Sequence, residues 1–258
     1  METYDIVIIG GGPAGLTAGI YASRAKMKTL LIESTFSPSL ITTTDLIENY
    51  PGFPGGIDGF GLVERFKEQA LSFGLEIQQD DITAVKPSED GSGWCALGGR
   101  EYQARAMIIA SGAAYATLGV PGEKEFTGRG VSYCATCDAP FYRDRAVVVV
   151  GGGDTAVQEA LFLTRFASRV TLVHRRDSLR ATAILQERAF ANDKLDFVWN
   201  SVVEEIRGDK AVSAVRLKNL ASGQLQDLAA DGVFIFAGYI PNTELVNGIA
   251  NRDEGGYI

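Results

Sequence analysis

The strongest constraint on this chain is that it contains one unit twice: residues 6–33 lie over residues 147–174 at a constant offset of 141, with no gap. Each copy reads as a β-branched strand (IVIIG, then VVVVG), a glycine-rich turn (GGGPAG, then GGGDTA), an alanine-rich amphipathic helix and a second apolar strand (TLLIE, then VTLVH). Both copies are predicted βαβ units. The connection between two neighbouring parallel strands must carry a helix across the sheet, so the expected class is α/β with parallel sheets.

The glycines of the two turns have separate physical purposes. The offset carries Gly10 onto Gly151, Gly12 onto Gly153 and Gly15 onto Ala156. In a dinucleotide-binding turn the first glycine permits the tight bend, the second lets backbone approach a pyrophosphate, and the third allows close helix-to-strand packing, where alanine is tolerated. Pro13 and Ala14 in one copy, Asp154 and Thr155 in the other, open the helix whose unpaired N–H groups would receive the anion. A single such turn is also compatible with an ordinary strand-to-helix connection. Two copies with matching strands and helices predict two Rossmann-like, dinucleotide-binding domains.

The copies diverge at the end of the second strand, where nucleotide chemistry is discriminated. Glu33 offers a carboxylate to ribose hydroxyls, which suits an adenosine ribose without a phosphate. The other copy reads HRRDSLR, so Arg175, Arg176 and Arg180 stand where an acid would repel a 2′-phosphate and where guanidinium forks bind one. That favours NADP(H) over NAD(H), the alternative being a solvated basic surface. His174 is the sole histidine and is expected to be a strand-end residue beside the nucleotide.

A net charge of −8 argues against nucleic acid as a partner. No apolar run approaches the ~20 residues that span a bilayer, and METYDIVIIG has no secretory leader pattern, so a cytoplasmic location without membrane attachment is expected. Three cysteines are too few for a disulfide framework. Cys134 and Cys137, in YCATCDAPF, can close and open a small disulfide ring, and Asp138 beside them can donate or accept a proton. A closed zinc site needs four ligands and only Cys95 and His174 remain, so no metal is expected and Cys95 is read as a small buried hydrophobe. A pyridine nucleotide releases hydride whereas a disulfide is reduced by thiolates or a bound carrier, so a flavin is inferred to join them, with FAD at the first turn.

GGGPAG, ENYPGFP, IIASGA, CATCDAPF, GGGDTA, HRRDSLRA and AGYIPNTEL occur in the order seen in low-molecular-weight, bacterial-type thioredoxin reductases, and the chain resembles that family along nearly its whole length. The resemblance implies the three-layer FAD/NAD(P)-binding fold, with the NADPH domain inserted into the FAD domain: 1–114 the first part of the FAD domain, 115–242 the NADPH domain with its CxxC, and 243–258 the start of the returning FAD segment. It implies a homodimer passing electrons from NADPH through FAD to thioredoxin. Cys137 would lie against the flavin, Cys134 would attack the partner disulfide, Asp138 would serve as acid and base, and Asn49, Ala110 and Gly112 would line the FAD site. Because dithiol and nicotinamide must reach one flavin, the domains are expected to rotate about the crossings at 113–119 and 238–241. Two departures stand out. Pro38, Ser39 and Leu40 replace a usual GGQ segment, and the sequence stops at DEGGYI, before the further strand and glycine-Asp motif with which the family completes its FAD site. Rival readings are a non-catalytic nucleotide-binding or redox-sensing module, and a reductase for another small disulfide or peroxiredoxin-type partner or with another electron donor. Pro140, Phe141 and Tyr142 are read either as a docking patch or as packing beneath the cysteines.

Overall fold

A computed structural model describes residues 3–35 and 39–258. The chain forms two compact units, one from residues 1–114 and 240–258, the other from 115–239; the return to the first unit falls at 239/240, where the sequence reading put it at 242/243.

The first unit begins with strand β1 (Thr3–Ile9), helix α1 (Pro13–Arg24) and strand β2 (Thr29–Glu33). Helix α2 (Gly59–Ser72) leads to β3 (Glu76–Gln79), followed by β4 (Ala84–Pro87), β5 (Trp94–Leu97) and β6 (Glu101–Ile109). The sheet order is β3-β2-β1-β6-β5-β4, parallel through β6 and antiparallel beyond it. Successive side chains of a strand point to opposite faces, and β1 is buried on both. Ile8 therefore packs on the helix side with Leu16, Ile20 and Val63, while Val7 and Ile9 pack on the other side with Val85, Tyr102 and Leu245.

A short strand, β7 (Ala113–Tyr115), precedes the second unit. That unit runs through β8 (Val131–Ser132), the single-turn α3 (Ala135–Asp138), β9 (Ala146–Val150), α4 (Asp154–Leu163), β10 (Arg169–Val173), α5 (Ala183–Phe190) and β11 (Leu195–Val198). An antiparallel meander follows, β12 (Ser201–Gly208), β13 (Val212–Asn219) and β14 (Leu225–Ala229), then β15 (Gly232–Ile235), and the chain returns to the first unit within β16 (Tyr239–Pro241). The parallel sheet has the order β11-β10-β9-β15-β8. The two-sided burial recurs: Val147 and Val149 join Val157, Leu163 and Phe234 under the helices, while Val148 and Val150 join Ile206, Val215 and Leu217 under the meander. Helices, parallel sheet and β-meander are thus three layers, and the run VVVV is fully apolar because neither face meets water.

Candidate functional site

The first glycine turn lies between the end of β1 and α1. Gly10 has φ +121°, and a Cβ there would come within 2.1 Å of the Ala110 carbonyl oxygen. A Cβ on Gly15 would stand 1.9 Å from the Gly10 carbonyl oxygen, so α1 can lie this close to the turn only with glycine at that position. In the second copy a Cβ on Gly151, φ +151°, would stand 2.5 Å from the Cβ of Ala156 and 2.6 Å from the Phe236 carbonyl oxygen. The methyl group that the first copy cannot hold is seated here, 1% exposed.

Both helices start on a glycine that has no side chain to offer: Gly12 before α1 and Gly153 before α4, neither with a side-chain cap. Helix α2 differs, since Asp58 accepts from the Gly61 N–H at 2.7 Å. The first-turn N–H groups of α1 and α4 are therefore available to an anion, and each start opens onto a cleft.

The first cleft, about 370 Å³, is lined by Gly10, Gly12, Pro13, Ala14, Glu33, Ala110 and Gly112, seven of the residues singled out from the sequence, together with Gly11, Ser34, Ser39, Leu40, Asp80, Asp81 and Asn242. Gly15 packs behind it. Asn49 is exposed and does not line it. Pro38 lies outside the described residues, whereas Ser39 stands directly over the turn, its hydroxyl 3.0 Å from where a Gly12 Cβ would be. Lys67 of α2 donates to both oxygens of Glu33, at 3.0 and 3.3 Å, which orients the carboxylate and leaves lone pairs for hydroxyl donors.

Several lining residues were missed in the sequence. Asn242 is joined to the ASGA segment: its amide donates to the Ser111 carbonyl at 3.0 Å, its own carbonyl accepts from the Ser111 hydroxyl at 2.6 Å, and its N–H donates to the Gly112 carbonyl at 2.9 Å. Asp80 accepts from the Gly99 N–H at 2.8 Å and the Tyr102 phenol at 2.8 Å. Burial raises its carboxyl, but these donors outweigh burial and hold it below its usual range. Gly11 and Gly152 carried a usable signal, since each is the middle of a GGG triplet at the same offset. A Cβ on Gly11 would meet the Glu33 side chain at 2.7 Å, and one on Gly152 the His174 ring at 2.3 Å.

The second cleft, about 190 Å³, is lined by Gly153, Asp154, Thr155, Ala156 and Arg180, with Tyr115, Phe236, Gly238 and Tyr239 around them. Arg180 is held over the turn by its N–H, which donates to the Gly152 carbonyl at 2.8 Å. Asp154 accepts from the Thr182 N–H at 2.6 Å, and the Thr155 and Tyr239 hydroxyls pair at 3.0 Å. Gly151 supports the turn from below. Arg175 and Arg176 are exposed beside the strand end, outside this cleft. His174 is 4% exposed, edge-on to Trp199, with Nε2 unpartnered. Burial and then the charges of Arg180, Arg176 and Arg175 push its pKa down. Arg180 in the cleft, with Arg175 and Arg176 beside the strand end, gives this end of the turn a positive charge that suits a phosphate.

Cys134 and Cys137 form a disulfide across α3, with Cα atoms 5.4 Å apart. Cys137 is exposed and Cys134 half-buried. The Cys134 sulfur accepts from the Cys137 N–H at 3.2 Å and faces the Thr136 hydroxyl at 3.3 Å, contacts that would stabilise a Cys134 thiolate once the bond opens. The Asp138 N–H donates to the Cys134 carbonyl at 3.3 Å. Burial, with the Asp138 charge second, pushes the Tyr142 phenol up. Of the apolar residues that follow, Phe141 is 75% exposed, while Tyr142 packs edge-on to Phe234 at 5.2 Å. Cys95 is a buried free thiol pushed up by its burial, and no cluster that could hold a metal occurs among the described residues.

The family model for pyridine nucleotide-disulphide oxidoreductases matches residues 4–258. A thioredoxin reductase of Peptoclostridium acidaminophilum is 49% identical over 264 residues, spanning 100% of this chain and 83% of that protein. One from Mycolicibacterium smegmatis is 50% identical over 256 residues, spanning 99% and 82%. The crystal structure of Lactococcus lactis thioredoxin reductase, 43% identical, superposes with a TM-score of 0.95 over 99% of this chain and 84% of that one. With two uncapped glycine turns and a vicinal disulfide in place, the chain belongs to the pyridine nucleotide-disulphide oxidoreductases, in the low-molecular-weight thioredoxin reductase family, whose members are oxidoreductases using FAD and NADPH.

Proposed function

We propose that this chain is an NADPH-dependent thioredoxin-disulfide reductase that acts as a cytoplasmic homodimer, with FAD in the cleft of the first unit and NADPH in that of the second. The observation that carries the reading is the Cys134–Cys137 disulfide, borne by the same unit as a glycine-turn cleft that Arg180 lines. No helix among the described residues is long and apolar enough to cross a membrane.

The residues divide the work as follows. Gly10, Gly12 and the α1 N-terminus, with Pro13 and Ala14, receive one pyrophosphate, and Glu33 takes the ribose hydroxyls while Lys67 holds it in place. Ala110 and Gly112 form the opposite wall, fastened by Asn242. Gly153, Asp154 and Thr155 receive the second pyrophosphate, and Arg180, Arg175 and Arg176 neutralise a 2′-phosphate. Bound flavin supplies a two-electron acceptor for hydride and a donor to the disulfide.

Overall, one NADPH and one proton convert the Cys134–Cys137 bond into two thiols and NADP⁺. Cys134, the sulfur with hydrogen-bond donors, then attacks the partner disulfide as a thiolate, with Asp138 moving the proton at the leaving sulfur. Cys137 attacks the mixed disulfide, which re-forms the internal bond and releases a dithiol partner. In Cys137→Ser, NADPH should still bleach the flavin while thioredoxin reduction is abolished. Retained thioredoxin reduction in that variant would remove the pair from the electron path.

A further inference from the structure

Glu123 is 3% exposed, yet it is a carboxylate and lies outside both clefts. A buried acid is costly unless its oxygens are satisfied. Here Oε1 accepts from the Leu118 N–H at 2.9 Å and the Tyr133 phenol at 2.7 Å, and Oε2 accepts from the Gly119 N–H at 2.7 Å. Every partner is a neutral donor, and they come from two separate stretches. Leu118 and Gly119 lie just after the chain enters the second unit at Tyr115, while Tyr133 immediately precedes Cys134.

The tie is reinforced at both ends. Tyr133 stacks on Tyr115 with centroids 6.2 Å apart and planes 24° from parallel. The Ser132 hydroxyl accepts from the Cys134 N–H at 3.1 Å and reaches the Cys134 carbonyl at 3.2 Å. Burial and then the hydrogen bond to Glu123 push the Tyr133 phenol well up, so it stays a donor at any ordinary pH.

We propose that Glu123 is a positioning residue for the redox disulfide: through the Tyr133 hydroxyl it locks the backbone entering Cys134 to the segment by which the chain enters this unit. The inference rests on the function proposed above only where it speaks of turnover. Glu123 touches neither sulfur and acts through Tyr133, so its removal loosens the approach to Cys134 without disturbing nucleotide binding.

The test uses the full chain in three forms: Glu123→Gln, Tyr133→Phe and the double variant. Loss of one buried hydrogen bond shifts a local opening equilibrium by about three- to tenfold. In protein reduced with dithiothreitol, the rate of Cys134 alkylation by iodoacetamide, followed by mass spectrometry, should rise by about that factor while Cys137 is unchanged. The double variant should rise by less than the product of the two singles, because both changes act on the one Tyr133–Glu123 hydrogen bond, which Glu123→Gln weakens and Tyr133→Phe removes. This readout needs no flavin, so it stands apart from whether the function reading holds. In the FAD-loaded enzyme, thioredoxin turnover should fall about tenfold, as expected when a reacting group is misplaced, with the KM for NADPH and the extent of flavin bleaching unchanged. Should Glu123→Gln fail to fold, Tyr133→Phe, which deletes one oxygen, carries the same prediction. Cys134 alkylation equal to wild type, or a parallel rise at Cys134 and Cys137 with weakened NADPH binding, would overturn the proposal.

Discussion

The two copies of the glycine turn make a discriminating prediction, because the same substitution is forbidden in one and already present in the other. In Gly15→Ala the new methyl would sit 1.9 Å from the Gly10 carbonyl oxygen, whereas carbon contacts settle near ~3.5 Å. Either α1 or the turn must therefore give way by roughly 1.6 Å. Overpacking of this kind costs about 1–3 kcal/mol, and the upper end applies because the obstacle is backbone. Displacement of the turn also moves the N–H groups proposed to receive the pyrophosphate, and losing about 3 kcal/mol of hydrogen bonding to a charged group should weaken flavin affinity by about a hundredfold. The reciprocal change, Ala156→Gly, removes a methyl that fits, and should cost only about 1–2 kcal/mol, from helix propensity and the lost buried methyl together. The chain's two tryptophans fall one in each unit, Trp94 and Trp199, so single-tryptophan variants can follow each unit through urea unfolding. Gly15→Ala should lower the Trp94 midpoint and empty the protein of flavin, leaving the Trp199 midpoint in place. A Gly15→Ala protein with full flavin content and an unmoved Trp94 midpoint would refute the reasoning.

Arg180→Glu should raise the KM for NADPH about ten- to a hundredfold, because a charge-assisted pair becomes a repulsion, and should barely change that for NADH; steady-state kinetics with both nucleotides decide this. His174 has its pKa depressed in the folded unit, so the unfolded chain binds the extra proton first as pH falls. The stability of the second unit should therefore be full above about pH 6.5 and decline below it, levelling once the folded ring also protonates. Urea midpoints of the Trp199 reporter from pH 8 to pH 5 (roughly the histidine range) test this, and His174→Phe should flatten the profile.

Much of the fold was legible because periodicity reports burial directly. The runs IVII and VVVV read as strands of two βαβ units, and the repeat offset of 141 fixed where each turn, helix and strand-end residue would recur. Gly15 against Ala156 was legible as a pair of third positions, though not the reason they differ, which is the distance from α1 to the Gly10 carbonyl. What stayed hidden depends on contacts between residues far apart in sequence. Lys67 reaches Glu33 from another helix, Asn242 fastens Ser111 from the returning segment, and Glu123 finds Tyr133 only once two loops are folded together. No spacing rule connects such partners. Asn49 was placed at the first cleft by resemblance, and it is solvent-exposed outside that lining.

If a pyridine nucleotide reduces the Cys134–Cys137 bond through a flavin held by this chain, anaerobic titration of the flavin-loaded protein with NADPH will show it, with visible absorbance followed and new thiols trapped by a mass tag. The flavin band should bleach, and tags should appear at Cys134 and Cys137. A protein that retains no flavin, or whose flavin bleaches while Cys134 and Cys137 stay joined throughout the titration, would contradict this route.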